Sequence, residues 1–370
     1  MTSIVELIKE LPEGYEEACF TEKAIQRRRG IDNPNDLMML GMFHLLNGCS
    51  LVEISTIAAL TKLGNVSDVA FMKRFEGCND WFKWNIDNLL SNGGIEYEKP
   101  EWLNKYRVLA NDASDVIEKG RSGRTYRLHF ALELFKLQCA EYKITEEATG
   151  ESLKNFCLQP NDLIIADRIY STFVGMRHCI ENDANFVMRL RSKSFNMYDS
   201  EHQKIDLLEH LMALEGGEEL DMTVLVKLYG KEYTPLRICA RKKNPEAIED
   251  TQRNLKRKKS KKQEAISEET LTFNNYIVLV TMLPPEISAE QILELYRLRW
   301  QVEIYFKRLK SILNFGDLPK RRMASVFAWL NGKIMISILI EKIIGKKIFP
   351  PEDKCQQEHL EGNKNVAFDF

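Results

Sequence analysis

The chain has 370 residues, 44% hydrophobic and 29% charged, and its 52 Lys and Arg against 54 Asp and Glu leave a net charge of -2. That length calls for two or three domains, or one domain with a large insertion. The charge balance excludes a uniformly basic, histone-like nucleic-acid binder but not a local basic face. Eight cysteines without a C-x-x-C pair and six histidines without H-E-x-x-H argue against a zinc finger or a disulfide framework, and for a reducing, cytoplasmic setting. The longest apolar runs, at 277–283 and 334–340, are seven residues each, so no membrane association is expected.

Residues 1–95 read as helical. Ser50-Leu51-Val52-Glu53 is a capping box opening a helix through Ile54, Ile57 and Leu60. Gly64-Asn65 breaks the chain, and Ser67 can cap a second helix that carries Lys73 and Arg74. Two short helices around a Gly-containing turn suggest a helix-turn-helix that contacts DNA through Lys73 and Arg74, although such pairs are more often plain packing units. The nearby aromatic group Phe75, Trp81, Phe82 and Trp84 reads as helix packing.

From about residue 104 strands and helices alternate. A short strand at 106–110 runs into Asn111 and Asp112, strands follow at 124–130 and 139–144, and a short helix is expected at 152–156. Residues 162–166 contain a continuous apolar strand of the kind buried on both faces, ending at Asp167-Arg168. A helix at about 171–181 and a strand at 185–191 complete a mixed sheet with helices on both faces. Residues 192–275 break that rhythm with a hairpin at 222–229 and 236–241. They also hold six basic residues in seven from Lys256, Arg257, Lys258 and Lys259 to Lys262, which by themselves read as a solvated loop. A strand at 276–283 precedes one long helix from Ser288 to about Leu313, and the polar tail 347–370 carries little structure.

On that long helix Leu295, Leu298, Val302, Leu309 and Leu313 form an apolar stripe. Tyr296, Arg299, Glu303 and Lys310 form a second stripe, displaced by about 100°. Glu303 could simply pair with Arg299 or Lys307 at helical spacing. Yet Asp112 and Asp167 follow apolar strands at the sheet edge where ligands of open α/β sheets bind. Three carboxylates brought together repel unless a cation joins them. Oxygen-only ligands select Mg²⁺ or Mn²⁺, and two ions about 4 Å apart would support phosphoryl transfer.

The segment 295–310 resembles the Y-x2-R-x3-E-x6-K signature of bacterial insertion-sequence DDE transposases. Residues 163–170 resemble their second-aspartate motif, usually D-R-G-Y, with Ile169 where Gly is common, and 108–114 resemble the first. Residues 66–75 resemble a stretch of their amino-terminal domain. The resemblance implies an α/β fold: a ribonuclease-H-like, retroviral-integrase-like mixed sheet over 96–191 and 276–346, interrupted by the β-rich 192–275 and preceded by the helical 1–95. It implies that Asp112, Asp167 and Glu303 bind two catalytic metal ions, that Tyr296, Arg299 and Lys310 contact the transposon-end strand, and that the run with Lys256, Arg257, Lys258 and Lys259 can meet the DNA backbone. The implied reaction is metal-dependent cleavage at the ends of an insertion sequence, then strand transfer of the 3′-hydroxyls into target DNA. The expected partners are double-stranded DNA, as terminal inverted repeats and target, and a second copy of the chain in the DNA complex. A non-catalytic DNA-binding derivative and a metal-dependent nuclease without strand transfer are the alternatives. Some relatives stack a flipped base on a Trp of the insertion; Tyr276 is one aromatic substitute here but reads rather as structural, and Trp300 reads as core.

Overall fold

A computed structural model describes residues 4–91, 98–118, 125–146, 148–215, 217–262, 266–315, 317–318 and 322–348. The tail beyond 348 therefore lies outside the described residues. In chain order come α1 (Ile4–Lys9), α2 (Tyr15–Thr21), α3 (Pro34–Leu46), α4 (Leu51–Leu60), α5 (Asp68–Glu76) and α6 (Asn79–Ser91). Strands β1 (Arg107–Glu118), β2 (Thr125–Glu133), β3 (Gln138–Glu146) and β4 (Asp162–Ala166) lead to α7 (Phe173–Glu181) and β5 (Asn185–Arg189). Then follow β6 (Met197–Tyr198), β7 (Lys204–Ile205), α8 (Leu207–Met212), β8 (Glu219–Tyr229) and β9 (Glu232–Lys242). The chain continues through α9 (Pro245–Lys262), α10 (Glu268–Phe273), β10 (Tyr276–Thr281), α11 (Ala289–Arg297), α12 (Trp300–Ile312) and α13 (Met323–Ile348).

These elements form two compact units, residues 1–96 with 318–370 and residues 97–317. The division differs from the expected one, which placed 276–346 with the sheet. The reason is α13, apolar all round: Val326, Leu330, Ile334, Met335, Ile336 and Leu339 are all buried. It packs on α6, α5, α3 and α1. Its stretch Met323–Ile344 has the length and composition of a membrane span, although scattered polar residues keep any uninterrupted apolar run short, and most of that stretch is buried inside the unit.

In the same unit the expected capping box is formed. Ser50 N donates to Glu53 at 2.7 Å and Glu53 N to Ser50 Oγ at 3.3 Å, while Ser67 Oγ accepts from Ala70 N at 3.2 Å. The break between α4 and α5 needs its glycine. Asn65 N bonds Gly30 O at 2.9 Å, and a Cβ on Gly64 would meet that oxygen at 2.6 Å. Phe75, Trp81 and Phe82 are buried against one another, as packing residues.

The second unit is built on one mixed sheet in the order β3-β2-β1-β4-β5-β10-β9-β8-β6-β7. The pairs β1–β4 and β4–β5 are parallel, and the other pairs of that path for which registers are defined are antiparallel. All five residues of β4 are buried, as its continuous apolar run requires. One face carries a core of Leu109, Ala131, Ile164, Phe186 and Val278 with Met176 and Cys179 of α7. Successive side chains point to opposite faces, so Phe130 points the other way from Ala131. It stacks on Tyr305 of α12 with centroids 4.3 Å apart. The β8–β9 hairpin of the expected insertion joins this same sheet, because β9 pairs with β10 over Lys242–Arg237. The basic run expected as a loop is the second half of helix α9.

Lys333 yields a stability test. It is 4% exposed on α13, its Nζ lies 5.0 Å from the Trp329 ring, and burial pushes its ammonium down to about 8. A lysine whose folded pKa is depressed loses stability as pH falls through that value. At pH 7 the charged form costs on the order of 2–3 kcal/mol, a cost that disappears above the unfolded value near 10.4. Lys333→Met is therefore expected to raise the melting temperature at pH 7, with the gain shrinking as pH rises from 8 to 10.5. Thermal melts across that range check it; a gain independent of pH contradicts it.

Candidate active site

The register of the parallel strands sets the site. Asn111 of β1 lies opposite Ala166 of β4, and Ala166 lies opposite Met188 of β5. One residue further along each strand come Asp112, Asp167 and Arg189, which stand abreast with about 4.8 Å between neighbouring strands. In the antiparallel pair Asp112 faces Phe130, so the two share a face. Phe130 stacks on Tyr305, and Asp112 accordingly points toward α12. The sequence placed Asp112 at a strand end. The strand instead runs on to Glu118, because β2 continues to pair with it as far as Ile117↔Thr125.

The turn after Asp167 is tightly held. Tyr170 N bonds Asp167 O at 3.0 Å, Thr172 Oγ1 caps α7 by accepting from Gly175 N at 3.1 Å, and a Cβ on Gly175 would meet Tyr170 O at 2.6 Å. Ile169 is not among the residues with positive φ, so the glycine common at this place is not required here.

The single helix expected from 288 to 313 is two. Ser288 caps α11 with a reciprocal box to Gln291, and α12 begins at Trp300. Between them the bonds Leu298 N to Leu295 O, Arg299 N to Tyr296 O, Gln301 N to Leu298 O and Val302 N to Arg299 O span three residues, a local 3₁₀ tightening. The apolar stripe survives it: Leu295, Val302, Leu309 and Leu313 are buried. Trp300 sits at the junction and is 49% exposed, so it is not core. Tyr276 is 5% exposed within β10 and is structural.

Arg299 organises the centre. Its side chain is 14% exposed; Nη2 donates to Glu303, Nη1 lies 4.0 Å from Asp112 Oδ2, and the guanidinium is 5.8 Å from the Tyr296 ring. Asp112 Oδ1 accepts from Ala113 N at 2.8 Å. Burial pushes the Asp112 carboxyl up to about 6; the Ala113 N–H and Arg299 oppose that rise, and the charges of Glu303 and Glu151 add to it. The buried Tyr296 hydroxyl has no hydrogen-bond partner among the described residues. Burial pushes it up to about 12 against the pull of Arg299, with Asp167 adding to the rise and Arg189 and Arg168 opposing it. Glu303 and Lys310 share a shallow cleft of about 570 Å³ with Ala113, Ser114 and Phe306.

The expected carboxylates fit a hard cation in kind, being oxygen donors with no His or Cys among them. Their arrangement is looser than expected. Among the described residues no three carboxylate, histidine or cysteine side chains gather closely enough to hold an ion, and Glu303 is turned onto Arg299.

Sequence reasoning missed Glu151, whose half-buried carboxyl is raised by burial and by the charges of Asp115 and Asp167. Arg127 steadies it at 4.0 Å while bonding Asp115 at 2.8 Å and Thr149 O at 3.0 Å. No spacing in the sequence signals that cluster, which the β1–β2 pairing assembles. Of the other candidates, Lys73 is exposed, whereas Arg74 spends its guanidinium on the carbonyls of Arg27, Arg29 and Ile31. Lys256 and Arg257 are exposed on α9, and Lys258 and Lys259 follow on the same helix.

Known proteins resemble this chain over most of its length. Residues 104–339 match the family described as Transposase DDE domain. The chain is 28% identical to InsL of insertion sequence element IS186A of Escherichia coli K12 over 350 residues, 92% of this chain and 93% of that protein. It is 28% identical over 351 residues to the transposase of IS421 of Escherichia coli, with the same coverage, and 24% identical over 238 residues to that of IS231F of Bacillus thuringiensis subsp. israelensis, covering 60% and 49%. Membership implies a ribonuclease-H-like fold. The chain belongs to the DDE transposases of bacterial insertion sequences, DNA phosphoryl-transfer enzymes of a family that generally uses divalent metal ions.

Proposed function

We propose that this transposase cuts DNA at the ends of its own insertion sequence and joins the freed 3′-hydroxyls to target DNA, with Asp112, Asp167 and Glu303 as the catalytic carboxylates. The observation that carries the reading is the register that sets Asp112 and Asp167 side by side beneath the Arg299–Glu303 pair. In the first step a water oxygen attacks phosphorus and the bond to the 3′-oxygen of the element end breaks, leaving a 3′-hydroxyl there and a 5′-phosphate on the flank. In the second that 3′-oxygen attacks a target phosphate and displaces the target's own 3′-oxygen. Mg²⁺ or Mn²⁺, two ions by family resemblance, supplies the charge that activates the attacking oxygen and steadies the leaving one.

Asp112 and Asp167 would hold the cation from the sheet, and Glu303 would join them by leaving Arg299. The Glu303 side chain is 53% exposed and so can turn away into solvent, while the 14% exposed Arg299 guanidinium keeps Asp112 beside it. Arg299 is then free for a phosphate of the end strand, with Tyr296 beside it and Lys310 along the same cleft. Lys73 on the second helix of the α4–α5 pair and the basic end of α9 would add backbone contacts. A second copy of the chain on the paired ends completes the proposed assembly.

Purified protein with Mg²⁺ or Mn²⁺ and DNA carrying the element's ends is expected to yield end-specific 3′-hydroxyl products. Asp112→Ala should lower that yield by at least ~100-fold, the usual scale for losing one transition-state stabiliser. Glu303→Gln should lose cleavage similarly yet shift urea-unfolding stability by under about 0.5 kcal/mol. Wild type indistinguishable from Asp112→Ala would sink the proposal, and cleaved ends never found joined to target DNA would leave a nuclease instead. For α9, replacing Lys256 and Arg257 by Gln is expected to reduce the slope of log affinity against log salt by about 2, roughly 0.9 for each phosphate no longer neutralised. An unchanged slope removes α9 from the interface.

A further inference from the structure

More positive charge surrounds the second aspartate than the steps above use. Arg168 holds its Nε 4.0 Å from Asp167, while its Nη1 donates to Asn274 Oδ1 at 3.2 Å. Asn274 is 7% exposed, and its side chain is fixed by donating Nδ2 to Thr270 O at 2.7 Å. The main-chain oxygen of the same asparagine accepts from Lys243 Nζ at 2.7 Å, and Lys243 also donates to Thr251 Oγ1 at 3.0 Å. One asparagine therefore ties a lysine just past β9 to the arginine beside Asp167.

The sheet brings a third cation to the same edge. Arg189 stands abreast of Asp167 on β5. Both β5 and β9 are antiparallel to β10, so they run the same way and their carboxyl ends share an edge. Arg168, Arg189 and Lys243 are each only partly buried. The charges acting on Lys243 are those of Arg189 and Arg168, and burial with these like charges pushes its ammonium down to about 8. The buried, unpartnered Tyr296 hydroxyl feels Arg168, Arg189, Arg299 and Asp167 together. Cations held close with a hydroxyl left over are the complement of an anion with several oxygens.

We propose that Arg168, Arg189 and Lys243 form a DNA-phosphate subsite beside Asp167, on the side away from Asp112, with Asn274 as the residue that positions two of the three cations. The inference rests on the transposase reading of the carboxylates. It adds to it a fixed seat for the strand that passes Asp167, so that one phosphate is held on each side of the reacting bond: by Arg299 over Asp112, and by the Lys243 cluster beyond Asp167. Lys243 lies between β9 and the amino-terminal end of α9.

The test uses full-length protein, EDTA to prevent cleavage, and a fluorescent duplex taken from the DNA that flanks the gene. Lys243→Gln and Arg189→Gln are each expected to weaken binding about five- to tenfold and to lower the salt slope by about 0.9. Lys243→Arg, which keeps the charge, should retain the slope. Replacing single phosphates by methylphosphonates should reveal one position at which wild type and Lys243→Gln bind alike. A loss in Lys243→Arg as large as in Lys243→Gln overturns the charge role, and the absence of any such phosphate overturns the subsite. If Lys243→Gln and Arg189→Gln bind like wild type while Arg299→Gln does not, the subsite falls and the transposase reading stands. If Arg299→Gln also binds like wild type, the proposed DNA path over the carboxylates falls with it.

Discussion

The parallel pairing of β1, β4 and β5 is the constraint on which the rest of the site depends. Main-chain hydrogen bonds fix which residues stand abreast, and side-chain alternation fixes which face each one serves. A slip of one residue would turn Asp112 into the face occupied by Leu109 and Ala131 and bring Asn111 beneath α12. The sheet resists that slip because both of its faces are committed. Leu163 and Ile165 point one way and Ile164 and Ala166 the other, all fully buried. The proposed catalytic geometry is thus secured by burial of aliphatic side chains that never touch DNA.

What register brings together, electrostatics must hold. Burial and the charges of Glu303 and Glu151 weigh against the charged form of Asp112, and the two opposing contributions are an N–H of Ala113 and the guanidinium of Arg299. Arg299 is itself half-buried and shared between Glu303, Asp112 and the Tyr296 ring. Arg127 performs the same task one strand away, between Asp115 and Glu151. Each of these acidic groups is therefore met by an arginine on a neighbouring element. In the proposed function a phosphate would replace Glu303 as the partner of Arg299.

Local features were legible in the sequence and long-range ones were not. The capping box at Ser50 and Glu53 depends on residues three apart, and the buried strand at 162–166 on a short, nearly unbroken apolar run, so both could be read directly. The break at Leu298 could not, since neither Pro nor Gly marks it and the apolar stripe runs through it unbroken. The extension of β1 past Asp112 depends on β2, and the packing of α13 with the amino-terminal helices depends on partners more than 200 residues away in sequence. Glu151, Arg189 and Lys243 carry no motif at all. Their proximity to the aspartates is a property of strand order.

The most specific motif in the sequence falls on the helix junction. Tyr296 lies in the last turn of α11, Arg299 precedes α12, and Glu303 lies one turn into it. The 3₁₀ bonds between them leave Tyr296 buried and Glu303 exposed, although an unbroken helix would keep both on one stripe. A tight segment of this kind can exchange i→i+3 for i→i+4 bonding with little change in the number of hydrogen bonds, and mid-helix 3₁₀ often marks a functional hinge. The aspartates sit on a sheet packed on both faces and have no comparable freedom. In the proposed mechanism, assembly of the three carboxylates would therefore be a motion of α12 and the Glu303 side chain toward a fixed pair, with the Arg299–Glu303 contact giving way.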